Sequence, residues 1–202
     1  MYQRFRQNLQ KLPVITLAEI RKSFPDFDTK NLVYWQKKGY LIKLRNGYYI
    51  FSETETDEYR LFQIANKLYD PSYVSMESAL NYYGIIPEAV YSIQSISTRK
   101  TTAFTNKLGT FNYRSIKKKL YFGYQLITHR TTTFRMASKE KAILDFLYLR
   151  SDIGTYQSFE ALRWNREKLM LVEESKLQTY LERFNSPTLD KKLRYLQTYL
   201  HA

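Results

Sequence analysis

The chain of 202 residues has no cysteine, two histidines, six glycines and five prolines. Without a thiol, disulfides, thiolate chemistry and Cys-ligated zinc are excluded, and a reducing compartment, the cytoplasm, is the expected setting. His129 and His201 alone cannot supply the three or four ligands of a tetrahedral metal site, so no metal is expected. The glycines, at 39, 47, 84, 109, 123 and 154, lie too far apart for a Walker loop or a dinucleotide fingerprint, and no cofactor is expected. No run of about 18 apolar residues occurs. Arg4, Arg6, Lys11 and Glu19 stand where a signal peptide needs an apolar stretch, so the chain reads as soluble and intracellular, away from membranes.

What is present is apolar and basic. Hydrophobic residues make up 44% and aromatics 16%, enough to bury a core in one large domain or two to three small ones. Thirty-two Lys and Arg against nineteen Asp and Glu leave a net charge of +13, which points first to a polyanionic partner, most simply nucleic acid. The imbalance is greatest in residues 89–138, which contain no carboxylate but hold Arg99, Lys100, Lys107, Arg114, Lys117, Lys118, Lys119, Arg130 and Arg135.

The spacing predicts an α+β chain with a boundary in the polar "SETETDE" at 52–58, dividing residues 1–54 from 55–202. In the second part, helices are expected at 57–69, with acids in the first turn, at 75–83, capped by Ser75, and at 138–150, capped by Ser138. Strands of one sheet are expected within 91–136, in "YSIQSIS", "TFNYRSI", "YQLIT" and "TTFRM", separated by turn-like "TNKLG" and the lysine run. A helical layer is expected over 158–201, started by Ser158, with Ser186 and Pro187 opening its last helix.

In the first part, Thr16 to Glu19 match a capping box, and a short helix is expected over 16–24. Asp28 is placed to cap a second helix that buries Leu32 and Trp35 and turns Lys30, Tyr34, Lys37 and Lys38 to the opposite face, with Gly39 as its left-handed stop. Ile42, Leu44, Tyr48 and Ile50 then alternate around Asn46-Gly47, a pair suited to a type I′ hairpin turn. Helix, turn, basic helix and two-stranded ribbon is the order of a winged helix-turn-helix, in which the second helix fits the major groove of double-stranded DNA. The expected groove set is Thr29, Lys30, Asn31, Tyr34, Lys37 and Lys38, with Lys43, Arg45 and Asn46 as wing contacts. The same fold also binds protein, and that alternative stays open.

Three segments resemble the AbiEi-type antitoxins of the abortive-infection, type IV toxin-antitoxin systems: "LVYWQKKGYLIKLRNGYYIF", "YVSMESALNYYGIIPE" and "FRMASKEKAILDFLY". The order is consistent over roughly two-thirds of the chain, and residues 151–202 match only loosely. The resemblance implies a bacterial transcription regulator whose N-terminal winged helix represses its own operon and whose remainder counters a nucleotidyltransferase-like toxin.

Little catalytic chemistry stands against this. His129 beside Arg130 reads as an exposed loop histidine. Asp152, Glu174 and Lys176 have the order of a magnesium-dependent nuclease site, but "VEESKLQTYLERF" has helical period where such a site needs a strand. Asp145, in an apolar helix, reads as a structural partner of an Arg or a backbone group. The acid-free region admits a nucleic-acid surface with Tyr113 and Tyr121 as stacking groups, a site for an acidic protein, or a solvated sheet face. No catalysis is expected. A homodimer fits the inverted repeats that such regulators read.

Overall fold

The structure is a computed structural model that describes residues 1–87 and 91–201, without the side chain of His201. The expected start of the acid-free region at Ala89 lies outside the described residues. Among the described residues, ten α-helices and two sheets give a mixed α+β architecture.

The first six elements are α1 (Tyr2–Leu9), β1 (Ile15–Thr16), α2 (Leu17–Ser23), α3 (Lys30–Lys37), β2 (Leu41–Arg45) and β3 (Tyr48–Phe51). The strands form one antiparallel sheet in the order β1-β3-β2. α1 was not foreseen. Its Phe5 and Leu9, one turn apart, enter a cluster with Ile15, Ile20, Leu32, Trp35, Leu41, Tyr49 and Phe51. The capping box forms, with the Thr16 N–H donating to Glu19 Oε2 at 2.7 Å and the Glu19 N–H to Thr16 Oγ1 at 3.2 Å. Asp28 caps one residue early, its Oδ1 accepting from the Lys30 N–H at 2.9 Å.

The hairpin turn departs from the type I′ expectation. Gly39 and Gly47 take positive φ, +74° and +79°, but Asn46 does not. The pairing moves from Lys43↔Tyr49 to Arg45↔Tyr48, so Leu44 is an extra residue in β2. A bulge of this kind supplies the strand twist that two left-handed turn residues would otherwise give.

Side-chain alternation gives the ribbon a second face. Leu44 and Ile50, together with Val14, belong to the main core of the molecule rather than to the N-terminal cluster. That main core is built on α4 (Glu58–Leu68), β4 (Ser72–Val74), α5 (Met76–Tyr82), β5 (Ser92–Ser97), β6 (Thr102–Asn106), β7 (Gly109–Ser115), β8 (Tyr124–His129), β9 (Thr132–Ala137), α6 (Lys139–Leu149), α7 (Tyr156–Leu162), α8 (Arg166–Met170), α9 (Glu174–Phe184) and α10 (Pro187–His201). Its six strands run in the order β6-β7-β5-β4-β9-β8. The foreseen strands are present, with β4 and β6 added. The lysine run holds a single 3-10 turn, Lys118–Leu120.

Side-chain alternation assigns the faces. Tyr113 on β7, facing Ser95, is turned to α4, where its hydroxyl donates to the Ala65 carbonyl at 2.8 Å. Tyr73 on β4, paired with Ile96, is turned to α6. α5 and α6 pack together, and α7, α9 and α10 extend this layer. Thr155 rather than Ser158 caps α7, and Ser158 closes the capping box from the third position. Arg163 and Asn185, both left-handed, divide the expected 158–201 layer into separate helices.

Ser75 does not cap α5. Its hydroxyl donates instead to Asp145 Oδ2 at 2.8 Å, beside the Tyr73 hydroxyl at 3.0 Å. The other carboxylate oxygen of Asp145 is ion-paired with Lys141, one turn back on α6, and neither side chain is exposed. The partner of Asp145 is thus a lysine and two hydroxyls, not the arginine or backbone group foreseen. The Lys141 ammonium also lies 4.8 Å from the Phe184 ring centroid and 5.1 Å from that of Phe122. Gly123 leaves room for this lysine, since a Cβ there would meet Tyr180 at 2.9 Å and Lys141 Cγ at 3.1 Å.

Burial raises the pKa of Asp145 and lowers that of Lys141, each opposed by the other's charge. Lys141→Met removes the countercharge and leaves a buried carboxyl that is stable only when protonated. Its folded pKa then stands above the unfolded value, so stability is full below about pH 4 and is lost as pH rises. We expect Lys141→Met to lower the unfolding free energy at pH 7 by about 3–5 kcal/mol. Urea unfolding of variant and wild type at pH 4 and pH 7 checks this, with the difference smaller at pH 4.

Candidate nucleic-acid interface

α2, α3 and β2 enclose a shallow concavity of about 610 Å³ lined by Arg21, Thr29, Lys37, Lys43 and Asn46, with Leu17, Leu32, Val33, Gln36 and Tyr49. Four of the residues predicted from sequence therefore share one surface, and among the described residues no carboxylate lines it. Thr29 precedes α3 with its hydroxyl free of any capping bond, which leaves it available. Lys37 and Lys43 are exposed. The spacing of α3 explains the arrangement: Leu32 and Trp35 are buried, so residues one position beyond each face outward.

Lys30, Tyr34 and Lys38 flank this surface. Lys38 Nζ stands 5.7 Å from the Tyr34 ring centroid, an exposed cation and aromatic side by side. Val33 and Tyr34 are 54% and 55% exposed, unusual for such residues on a short helix whose other apolar side chains are buried. Asn31 is committed locally, its Nδ2 donating to the Asp28 carbonyl at 3.0 Å. Arg21, Val33 and Gln36 were not foreseen. Arg21 lies on the helix before the turn, where only its nearness to β2 in space adds it to the set.

Arg45 is placed otherwise than at a free wing tip. Its guanidinium carbon lies 3.6 Å from the Tyr48 ring centroid and 5.2 Å from that of Phe104 on β6. Beside it, Asn106 Nδ2 donates to the Leu44 carbonyl at 3.2 Å. The hairpin is thus clasped to the larger sheet, and Lys43 is the exposed cation of the ribbon.

The second basic set does not form one patch. β5, β7 and β8 run in the same direction, so Arg99, Lys100, Lys117 and Arg130 leave at one end of the sheet, while Lys107 lies in the β6–β7 turn at the other. Arg99 donates to the Asp70 carbonyl at 3.1 Å and lies 4.4 Å from the Tyr69 ring centroid. Arg114 donates to the Leu149 carbonyl at 3.5 Å. Arg135 is ion-paired with Asp70. Lys117, Lys118 and Lys119 are exposed.

The expected stacking role of Tyr113 is overturned, because the ring is wholly buried and burial pushes its hydroxyl far above the usual phenol range. Tyr121 is half-buried against Tyr73 and Tyr124, and its hydroxyl is pushed up to about 12. Period-two alternation marks which residues share a face but not which face is covered.

The remaining chemistry-bearing residues are dispersed. His129 ends β8 stacked on Tyr59, with ring centroids 3.8 Å apart, so it is a strand residue rather than a loop one. Asp152 accepts two hydrogen bonds from Arg150, at 2.7 and 2.8 Å, which hold its carboxyl down at about 2. Lys176 pairs with Glu140 at 3.0 Å, and Glu174 lies in the first turn of α9. The acid, acid and lysine string thus lacks the shared strand that its nuclease reading requires. Among the described residues no group of three His, Asp or Glu side chains is placed to hold a metal, and no helix is long and apolar enough to cross a membrane. No protein-family model and no curated protein matches the chain.

The clasp separates two arginine and lysine roles that look alike in sequence. Arg45→Ala should lower the unfolding free energy by about 1–2 kcal/mol, because the guanidinium no longer covers the two rings. Lys43→Ala, at an exposed site, should leave it within about 0.5 kcal/mol of wild type. Urea midpoints of the two variants measure both.

Proposed function

We propose that the protein is a sequence-specific regulator of transcription that binds double-stranded DNA through residues 1–54, acting as a winged helix-turn-helix. The observation that carries this reading is the α2–α3–β2 concavity, where Arg21, Lys37 and Lys43 converge with Thr29 and Asn46 and, among the described residues, no carboxylate lines the surface. In this reading α3 enters the major groove. Thr29, Tyr34, Val33 and Gln36 face base edges, including the thymine methyl, while Lys30, Lys37, Lys38, Arg21 and Lys43 hold phosphates. The chain's +13 charge supplies steering toward the polyanion.

The antitoxin reading rests on the resemblance noted above. Its support in the fold is that the three resembling segments, distant in sequence, meet in space. The first supplies α3, β2 and β3, while the second and third supply β4 with α5 and β9 with α6. β4 pairs with β9, α5 packs on α6, and the hairpin shares the core beneath them. We accordingly assign the operon of this gene as the target and a nucleotidyltransferase-like toxin as the activity it opposes.

Fluorescence anisotropy with duplex DNA from upstream of the gene, against a shuffled duplex, tests the reading. Wild type should prefer the upstream duplex, and affinity should fall steeply with salt. The Lys37→Ala, Lys38→Ala, Lys43→Ala triple variant should lose affinity for both duplexes and flatten the salt slope by about two to three units, roughly 0.9 for each phosphate no longer neutralised. Equal binding by variant and wild type would remove the contact assignment, and equal binding of the two duplexes would remove sequence specificity.

A further inference from the structure

The large sheet has two edge strands, β6 and β8, and the chain treats them differently. β6 is covered by the clasped hairpin through Asn106 and Phe104. β8 is Tyr124-Gln-Leu-Ile-Thr-His129, with no lysine, arginine, carboxylate or proline, and it pairs with β9 without a bulge from Tyr124↔Ala137 to His129↔Thr132. Charged residues, proline and bulges are the usual means by which an edge is kept from pairing, and β8 uses none of them. Leu126, at its middle, is 72% exposed.

The hydrogen bonding fixes which backbone groups of β8 face outward. On β9, the N–H of Arg135 donates to Asn66 Oδ1 at 2.5 Å, and its carbonyl accepts from Asn66 Nδ2 at 3.3 Å. The Thr133 carbonyl accepts from Gln63 Nε2 at 3.1 Å. Arg135 and Thr133 therefore turn their polar groups away from β8. In an antiparallel ladder the facing residues do the same, so Leu126 and Thr128, and by alternation Tyr124, present N–H and C=O at the open edge. Among the described residues nothing outside the strand hydrogen-bonds these groups.

We infer that β8 is a dimerisation edge that pairs antiparallel with β8 of a second copy of this chain, joining the two six-stranded sheets into one. Self-pairing is what the register favours. Facing residues of two strands lie on the same side of a sheet, so a twofold axis normal to it must pass through a residue rather than between two. Centred on Leu126, the axis pairs Leu126 with the partner's Leu126 and Tyr124 with the partner's Thr128. Every outward N–H and C=O is then matched, making about six hydrogen bonds, and the exposed Leu126 side chain covers its own mate. Centred on Ile127, the axis would pair Leu126 with the partner's Thr128 for about four hydrogen bonds only, and would leave Tyr124 opposite Arg130, which lies beyond the strand and in the left-handed region. An uncharged edge also brings two strongly basic copies together without placing like charges face to face. The inference stands on the sheet alone and is independent of the DNA reading.

The absence of cysteine makes the register directly testable. Cα atoms of a facing, hydrogen-bonded pair lie about 5.5 Å apart, within the span of a disulfide. In the whole chain of 202 residues, Leu126→Cys should cross-link into a covalent dimer under mild oxidation, whereas Thr128→Cys, also exposed but facing Tyr124, should not. By sedimentation, wild type should run at twice 24.3 kDa and Leu126→Lys as a monomer with an unchanged circular dichroism spectrum. A wild type that remains monomeric at about 100 µM, a dimer that survives Leu126→Lys, or a Thr128→Cys variant that cross-links as fast as Leu126→Cys would each overturn the inference.

Discussion

The buried pair of Lys141 and Asp145 is the constraint around which the larger part of the chain is arranged. A carboxylate taken fully out of water must have its lone pairs filled, and here the donors come from β4 through Tyr73, from the start of α5 through Ser75 and from α6 itself. Three segments are thereby held to one point. The lysine then needs surroundings of its own, which Phe122 and Phe184 provide as ring faces and Gly123 as space. α9 is held to α6 and to the segment before β8 through this contact. A second lysine repeats the device at the far end of α6, where Lys192 of α10 donates to the carbonyls of Leu147 and Arg150 at 2.8 and 2.5 Å.

The N-terminal part obeys a different rule. Its own cluster of aromatic and aliphatic side chains is small, and a unit of about fifty residues gains little from burial alone. The ribbon makes up the difference by serving two cores. Leu41, Tyr49 and Phe51 face the helices, and Leu44 and Ile50 face the sheet domain. Plain alternation lets a ribbon this short address both sides, since Leu41 and Leu44 stand three residues apart and Tyr49, Ile50 and Phe51 are consecutive.

Much of this was legible in the residues. The strands of 91–136 announce themselves by alternating β-branched and aromatic positions, and Thr16 and Ser138 cap their helices as their type and place foretell, while Asp57, expected within the first turn, stands one place earlier as the cap of α4. α1 escaped because Tyr2, Phe5 and Leu9 make only one full repeat, and β6 because Thr102–Asn106 is polar and runs into a turn. What failed was whatever depends on segments far apart in the chain. Arg45 has the sequence context of a wing-tip cation, but Phe104, which takes it up, is some sixty residues away. Tyr113 has the context of a stacking platform, but α4 covers its face. Of the candidate interface, the α3 cations were readable from helical spacing, while Arg21 needed the fold to bring it beside β2.

The clasp of the hairpin on β6 has a mechanical meaning. A module hung on a loose flexible linker can search a range of positions while the body stays still. Here Arg45, Asn106 and the shared core fix the hairpin, and α3 with it, against the sheet at several points. Such a molecule acts as a ruler rather than a tether. Whatever the sheet is joined to, the direction in which α3 points is carried along with it, and under the proposed DNA-binding role a duplex at the wrong angle would be refused by stiffness rather than by chemistry.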